Sequence, residues 1–312
     1  MAAQAVQDGA FSTVPYPNPE EAAAFALAIE QGQQIGATLL LATDPDADRL
    51  GVAVWNGDRY ELLTGNQLGA LLLHYLMVTK QHNGTLPANG IVVKTIVTAE
   101  LGAKIAERFG VVTENTLTGF KYIAEKIAQY EITGEKTYVF GYEESYGYLI
   151  EPFVRDKDAV QVTLKVAEMA ALYALQGKTL LEQLDKLYQE FGYYQETLIS
   201  QVFAGKNGQA EMQAILQRLR EQMPTEISGI RVQRIEDYLT GKAVLANGEI
   251  EALTLPKENV LKFILVDDTW IAVRPSGTEP KCKFYIGVVD STLEAAQVKL
   301  EKVKEAMLSV IK

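Results

Sequence analysis

Three acids and a guanidinium stand together in Thr43-Asp44-Pro45-Asp46-Ala47-Asp48-Arg49, directly after the apolar run Leu39-Leu40-Leu41-Ala42. Carboxylates spaced two apart repel one another and raise each other's pKa until a cation neutralises them. An apolar run of this length reads as a buried strand. Hard oxygen ligands at its end suit Mg²⁺, which takes few carboxylates and keeps positions for water or phosphate. Asp44, Asp46 and Asp48 are thus candidate ligands of a magnesium ion. The competing reading is a solvated acidic turn, because Asp-Pro and Asp-Ala are ordinary turn dipeptides.

Two other motifs begin in the same way. An EF-hand loop requires Gly at its sixth position and Glu at its twelfth. Counted from Asp44, those positions hold Arg49 and Trp55, so that reading fails. Haloacid-dehalogenase-type phosphatases place D-x-D after an apolar strand and use the first Asp as nucleophile. They want Thr or Val where this chain has Asp48, which leaves them as the weaker rival.

Further stretches carry chemistry as well. Thr116-Leu117-Thr118-Gly119-Phe120-Lys121 joins a strand to a helix, where free N–H groups can receive an anion or a sugar hydroxyl. Simple N-capping by Thr118 explains the same residues. Gly141-Tyr142-Glu143-Glu144-Ser145-Tyr146-Gly147-Tyr148 follows an apolar strand, and its planar carboxylates suit vicinal sugar hydroxyls. The alternative is a polar surface turn. Arg155-Asp156-Lys157-Asp158 adds basic groups for phosphate binding or proton transfer, although a charged tetrapeptide is ordinarily a solvated one. In Arg274-Pro275-Ser276-Gly277-Thr278-Glu279-Pro280 a guanidinium, two hydroxyls and a Gly-permitted backbone converge between two strands. That is the recipe for a phosphate nest.

The elements that must hold these groups follow from the pattern. Asn18-Pro19-Glu20-Glu21 predicts a helix start, with the helix running to about Gln31 and Gly32 helping to end it. Strands flank the acidic loop, and Asn56-Gly57 predicts a hairpin into Tyr60–Leu63. A helix over 67–78 carries His74, which reads as packing or surface. Strands at 91–97, 111–115 and 138–140 alternate with helices at 99–109 and 120–129, which indicates a mostly parallel sheet. Such sheets bind ligands beyond the carboxyl ends of their strands, where the motifs fall. Asp158 caps a helix to Leu175, another spans 180–191, and the character changes near Tyr194. Beyond it the pattern is strand, helix, several strands and a last helix over 293–311.

The whole chain sets bounds on these readings. With 29 basic and 40 acidic residues the net charge is −11, which argues against broad nucleic-acid binding. Cys282 is the one cysteine, so an internal disulfide is impossible and a reducing cytoplasm is expected. Lys281 and Lys283 beside it would lower a thiol pKa, yet a strand cysteine is more often packing. Neither a secretory signal nor a long apolar span is present in these residues, so no membrane partner is expected.

The four motifs, in this order, resemble the α-D-phosphohexomutase family of phosphoglucomutases and phosphomannomutases. That family carries a D-x-D-x-D-R magnesium loop, a G-E-x-S sugar loop and an R-x-S-G-T-E-P-type phosphate loop. Pro17-Asn18-Pro19-Glu20-Glu21 and Thr118-Gly119-Phe120-Lys121 are similar to family sequence too, and the Tyr142–Tyr148 form is most similar to the bacterial phosphoglucomutase branch. The resemblance implies that Asp44, Asp46 and Asp48 hold Mg²⁺ while Arg49 supports the transferring phosphoryl group. It implies that Thr118 and Gly119 contact the sugar, that Glu143 and Ser145 bind its hydroxyls, and that Lys157 sits near the reacting centre. Arg274, Ser276, Gly277 and Thr278 would clamp the distal, non-reacting phosphate. Tyr142 stands where much of the family has Gly, which bears on sugar preference.

A larger departure concerns the nucleophile. Family members donate phosphate from a serine in a T-A-S-H-N-P-like loop of a first domain. Here the two histidines follow Leu73 and Gln81, and none of the seven serines has that context. The expectation is therefore the C-terminal part of a mutase about twice this length. Its fold class would be mixed, mostly parallel three-layer α/β domains followed by a smaller α+β domain. The expected divisions are a partial second domain over 1–61, an α/β domain over 62–194 and a C-terminal domain over 195–312. Such a fragment would bind Mg²⁺ and hexose phosphate but not turn over alone. The full enzyme would need a glucose 1,6-bisphosphate-type activator, and the missing N-terminal half would be the partner. A stand-alone sugar-phosphate-binding module is the alternative.

Overall fold

The computed structural model describes residues 1–203, 205, 207–276 and 279–311, in two compact units, Met1–Leu187 and Tyr188–Lys312. The first unit opens irregularly. Asn18 does not start a helix; its Oδ1 accepts the Glu20 N–H at 3.0 Å in a local turn. A 3-10 turn at Ala22–Phe25 leads into α1 (Ala26–Ile35). The expected stop at Gly32 is inside this helix, and Gly36, at φ +68°, ends it. Gly32 has a packing reason instead: a Cβ there would lie 2.6 Å from the Tyr60 hydroxyl. Only a residue without a side chain lets α1 lie against Tyr60 and Leu40.

Strands β1 (Leu39–Thr43), β2 (Leu50–Trp55) and β3 (Tyr60–Leu62) form one sheet in that order, antiparallel throughout. Short hairpin connections permit no other direction. The acidic stretch is the first of these connections, because Thr43 pairs with Leu50. Phe25, Leu40, Ala53 and Tyr60 make the small core beneath α1.

The next helix, α2 (Gly65–His82), begins earlier than its apolar pattern suggests, because Thr64 and Gln67 form a reciprocal capping box. Alternation follows: β4 (Gly90–Thr95), α3 (Leu101–Arg108), β5 (Val112–Thr116), α4 (Phe120–Thr133), β6 (Thr137–Tyr142) and β7 (Tyr148–Leu149). The sheet order is β5-β4-β6-β7. The parallel pairing expected from alternating strands and helices is found in β5-β4-β6, and β7 joins antiparallel. Strand β4 ends at Thr95 because the chain turns there, with the Thr98 N–H on the Thr95 carbonyl at 3.1 Å. Asp158 caps α5 (Ala159–Leu175), accepting from the N–H groups of Val160 and Gln161. His74 packs: its ring meets Phe109 edge-on and its Nδ1 lies 3.4 Å from the Tyr173 hydroxyl.

Helix α6 (Leu180–Phe191) crosses into the second unit. That unit holds β8 (Tyr193–Val202), α7 (Gly208–Gln222), β9 (Glu226–Ile227), β10 (Ile230–Asp237), β11 (Lys242–Leu245) and β12 (Ile250–Ala252). It continues through β13 (Leu261–Leu265), β14 (Trp270–Pro275), β15 (Lys281–Asp290) and α8 (Leu293–Ile311). One antiparallel sheet runs β12-β11-β10-β13-β14-β15-β8, with β9 added on β10. Met212 and Leu216 of α7 and Val303 and Met307 of α8 bury with Phe263, Ile271, Phe284 and Ile286 of the sheet. The chain is thus mixed α/β followed by an α+β unit built on an antiparallel sheet. Cys282 lies inside this second core, and burial pushes its thiol up to about 12, so it packs rather than reacts.

Candidate active site

The acidic loop is closed by its own first residue. Asp44 Oδ1 accepts the N–H groups of Asp48 at 3.0 Å and Arg49 at 2.9 Å. Ala47 turns the chain at φ +56°, with its N–H on the Asp44 carbonyl. One oxygen each from Asp44, Asp46 and Asp48 converges within 4.8 Å. Burial above all raises the Asp44 carboxyl, and the charges of Asp48 and Asp46 add to it, while the Arg49 N–H opposes. Asp48 Oδ1 is buried with no hydrogen-bond partner among the described residues. Arg49 Nε faces that oxygen at 3.8 Å, beyond hydrogen-bond reach, and a closer cation is the group that would satisfy it. The three residues therefore fit a hard divalent ion such as Mg²⁺.

Two cations of the chain frame the acids. Lys157 Nζ lies 2.9 Å from Asp48 Oδ2 and 2.7 Å from Asp156 Oδ1, and 5.5 Å above the Phe120 ring. Burial works against its charge, but the hydrogen bonds to Asp156 and Asp48 outweigh it and hold its pKa above the ordinary lysine value. Its stem crosses Gly147 so closely that a Cβ there would sit 2.2 Å from Lys157 Cδ. Arg49 donates from Nη1 to Glu20 Oε1 at 2.8 Å, and its Nε faces Asp44 and Asp48 at 3.9 and 3.8 Å. Arg155 turns to Glu131 instead, so the charged tetrapeptide divides into an anchor, a site cation and a helix cap.

Backbone hydrogen bonds join this loop to the Glu143–Ser145 loop. Arg49 and Gly147 form an isolated antiparallel bridge, and the Leu50 N–H donates to the Tyr146 carbonyl at 3.0 Å. The Ala159 N–H, at the start of α5, donates to the Ala47 carbonyl at 2.9 Å. Glu143 is 6% exposed and accepts the Gly119 N–H on Oε1 at 2.9 Å. Burial raises its pKa, with the Gly119 N–H, Lys157 and Arg49 pulling the other way. Gly119 reaches that position at φ +119° and ψ +126°, a backbone only glycine adopts freely. It is also the N-cap of α4, which answers the question of Thr118: no side chain caps this helix. Thr118 Oγ1 is buried and makes no hydrogen bond among the described residues. Ser145 is half-buried on the same loop.

In the second unit, Arg274 pairs across β14 and β15 with Lys283, and its Nε is 3.1 Å from Glu258 Oε1. The Ser276 N–H donates to the Lys281 carbonyl at 2.7 Å, and its Oγ receives the Glu279 N–H at 3.4 Å. Gly277 and Thr278 lie outside the described residues.

Three family models match the chain in succession. Residues 1–57 match phosphoglucomutase/phosphomannomutase alpha/beta/alpha domain II, residues 64–191 domain III, and residues 206–305 the C-terminal domain. The chain belongs to the phosphoglucomutase/phosphomannomutase family. Phosphoglucomutases of Staphylococcus haemolyticus and Staphylococcus epidermidis are 40% and 42% identical over 294 and 290 residues. These alignments take in 93% and 92% of this chain but 52% of each relative, so the chain spans about half their length. The fold matches a putative phosphomannomutase of Thermus thermophilus at TM-score 0.62 and 19% identity, covering 96% of this chain and 52% of that one. It matches the Paramecium phosphoglucomutase parafusin at 0.68 and 18%, covering 95% and 50%. These findings do not favour a haloacid-dehalogenase reading of Asp44.

Against the family pattern, Tyr142 acquires a different meaning. Its side chain is fully buried and stacks on Phe140 at 5.2 Å. A Cβ at Gly69 would lie 2.4 Å from its ring and one at Gly102 would lie 2.0 Å from its hydroxyl. Tyr142 thus packs between α2 and α3 behind the loop. Glu20, Glu144 and Lys94 make contacts in this neighbourhood that the sequence did not point to. Glu20 is 29 positions from Arg49, and no local signal joins them. Lys94 is fully buried at the end of β4, with Nζ 3.1 Å from both the Thr98 carbonyl and Glu100 Oε1. A lysine inside an Ile-Val-Val run was the signal available for it.

Proposed function

We propose that this chain carries the metal, sugar and distal-phosphate loops of a hexose-phosphate mutase. The reaction is interconversion of hexose 1-phosphate and hexose 6-phosphate through a phosphoserine and a bisphosphorylated sugar. The observation that carries the reading is the backbone bridge between Arg49 and Gly147, which joins the acidic loop to the Glu143–Ser145 loop. Phosphoryl transfer needs little covalent chemistry from the protein; positioning and charge stabilisation do most of the work. Mg²⁺ on Asp44, Asp46 and Asp48 would neutralise charge on the transferring group. Arg49 and Lys157 stabilise its equatorial oxygens. Glu143 and Ser145 bind sugar hydroxyls, with Thr118 and Gly119 bordering the same ring. Arg274, Ser276, Gly277 and Thr278 hold the non-reacting phosphate. Glucose is the favoured sugar, because relatives 40–42% identical are phosphoglucomutases.

The donor serine lies outside these 312 residues in this reading, since none of the seven serines has the T-A-S-H-N-P context. The chain alone binds Mg²⁺ and hexose phosphate without turnover, in the cytoplasm, and its partner is the polypeptide that carries the donor. Among the described residues no helix is long and apolar enough to cross a membrane. The test is titration calorimetry of the 312-residue chain with glucose 6-phosphate, with and without Mg²⁺, beside a coupled mutase assay. Mg²⁺-dependent binding without turnover is expected, with turnover restored by the N-terminal half of a staphylococcal phosphoglucomutase. Turnover by the chain alone would overturn the placement of the donor. Failure to bind the sugar phosphate would overturn the site.

A further inference from the structure

The second acid of the sugar-recognition loop does something other than the first. Glu143 accepts the Gly119 N–H, whereas Glu144 turns into the bend between β4 and α3. Its Oε2 lies 3.3 Å from Thr95 Oγ1 and 3.4 Å from Thr98 Oγ1, and those two hydroxyl oxygens are 2.8 Å apart. Both threonines are fully buried. Three oxygens therefore form a closed triangle, two of them on fully buried side chains and the third on the half-buried Glu144.

Counting protons shows which state of Glu144 fits. Two hydroxyls supply two protons. One makes the Thr95–Thr98 bond, so an ionised Glu144 would receive one hydroxyl besides its own backbone N–H. With its own proton the acid completes a ring of three donors and three acceptors. The charged neighbours agree as well. Glu143 on the same loop and Glu20 from the N-terminal segment are both acidic, and Lys94 is turned to the Thr98 carbonyl and to Glu100.

We propose that Glu144 is a positioning residue for the sugar-recognition loop, which it pins to the β4–α3 bend as a neutral carboxylic acid through Thr95 and Thr98. The inference rests on the proposed sugar-binding role of Glu143 and Ser145. Burial foremost, then the Glu143 charge, raises the Glu144 carboxyl to about 7, so the pin is in place below neutral pH and is released above it. The close approach of α2 makes the loop sensitive to that release. A Cβ at Gly65 would lie 2.0 Å from the Glu144 carbonyl, so the loop backbone already rests on the first turn of the helix.

The test uses the 312-residue chain with Mg²⁺ and glucose 6-phosphate, compared with Glu144→Gln and Thr98→Val. Wild-type affinity should fall about tenfold between pH 6.5 and 8.5 beyond the change seen in Glu144→Gln, whose amide cannot ionise. Amide exchange of residues 143–148, corrected for intrinsic rate, should quicken over the same range in the wild type and stay level in Glu144→Gln. Thr98→Val should show fast exchange at both pH values. The same pH profile in wild type and Glu144→Gln would overturn the proposal, as would unchanged exchange in Thr98→Val. Should the wild type bind no glucose 6-phosphate at any pH, the functional reading fails, while the exchange experiment still decides whether Glu144 holds the loop.

Discussion

Gly69→Ala tests how the Glu143–Ser145 loop is held. In the interior of a helix, alanine in place of glycine ordinarily stabilises by about 1 kcal/mol. At position 69 of α2 the new methyl would lie 2.4 Å from two carbons of the Tyr142 ring, well inside van der Waals contact. The ring cannot withdraw, being fully buried and stacked on Phe140. Overpacking of this kind costs about 1–3 kcal/mol. The crowding offsets or outweighs the propensity gain, and the net expectation is destabilisation by up to about 2 kcal/mol. For a unit of this size that lowers the melting temperature by up to about 8 °C. Scanning calorimetry of the whole chain measures it, following the transition of the first unit by tyrosine near-ultraviolet dichroism. Tyr142→Leu in the same background should recover part of the loss, because the two sites are in contact and their effects are not additive. Glucose 6-phosphate binding should weaken as well, since Tyr142 leads directly into Glu143. If Gly69→Ala melted above the wild-type temperature, Tyr142 would not be wedged between α2 and α3, and this account of the loop would be wrong.

Mg²⁺ at a hundred times its dissociation constant should stabilise the chain by about 2.7 kcal/mol, and Asp46→Asn should abolish most of that shift in a thermal scan; equal shifts in both proteins would remove the metal assignment. Gly119→Ala should cost about 1–3 kcal/mol, because φ +119° is strained for any residue with a Cβ, and it should draw the N–H away from Glu143. Unchanged stability and glucose 6-phosphate affinity would argue against that reading. In the second unit Lys299 Nζ lies 3.0 Å from Asp267 and 2.9 Å from Asp290. Burial alone would raise the Asp267 carboxyl, but the hydrogen bonds from Lys299 and Thr269 hold it below its ordinary value. A lowered folded-state pKa gives stability that is full above the unfolded value of about 3.9 and is lost as pH falls through the folded one. Lys299→Met should therefore flatten the acid limb of an unfolding curve below about pH 4, and an unaltered limb would count against the pair.

Much of this protein is legible locally. The strand that ends in Asp44, the Asn56-Gly57 hairpin, the Asp158 cap of α5 and the strand–helix alternation that builds β5-β4-β6 all arise within a few residues of one another. Backbone propensity and hydrophobic period act over that range, so the sequence alone determined them, together with the order of the acidic, sugar and phosphate motifs. Other features depend on which surfaces meet after the chain closes. Gly32 looks like a helix stop and is a seat for Tyr60. Tyr142 looks like a departure that bears on sugar preference and is a wedge between two helices. Glu143 and Glu144 are adjacent acids that the turn between β6 and β7 sends in different directions, one to the Gly119 N–H and one to two buried hydroxyls. Arg49 finds Glu20 across 29 positions of chain. Side chains of the same type carry no mark of their destination, because burial and partner are properties of the packed interior. Tertiary structure decided which carboxylates meet Lys157 and Arg49 and which one meets two buried hydroxyls.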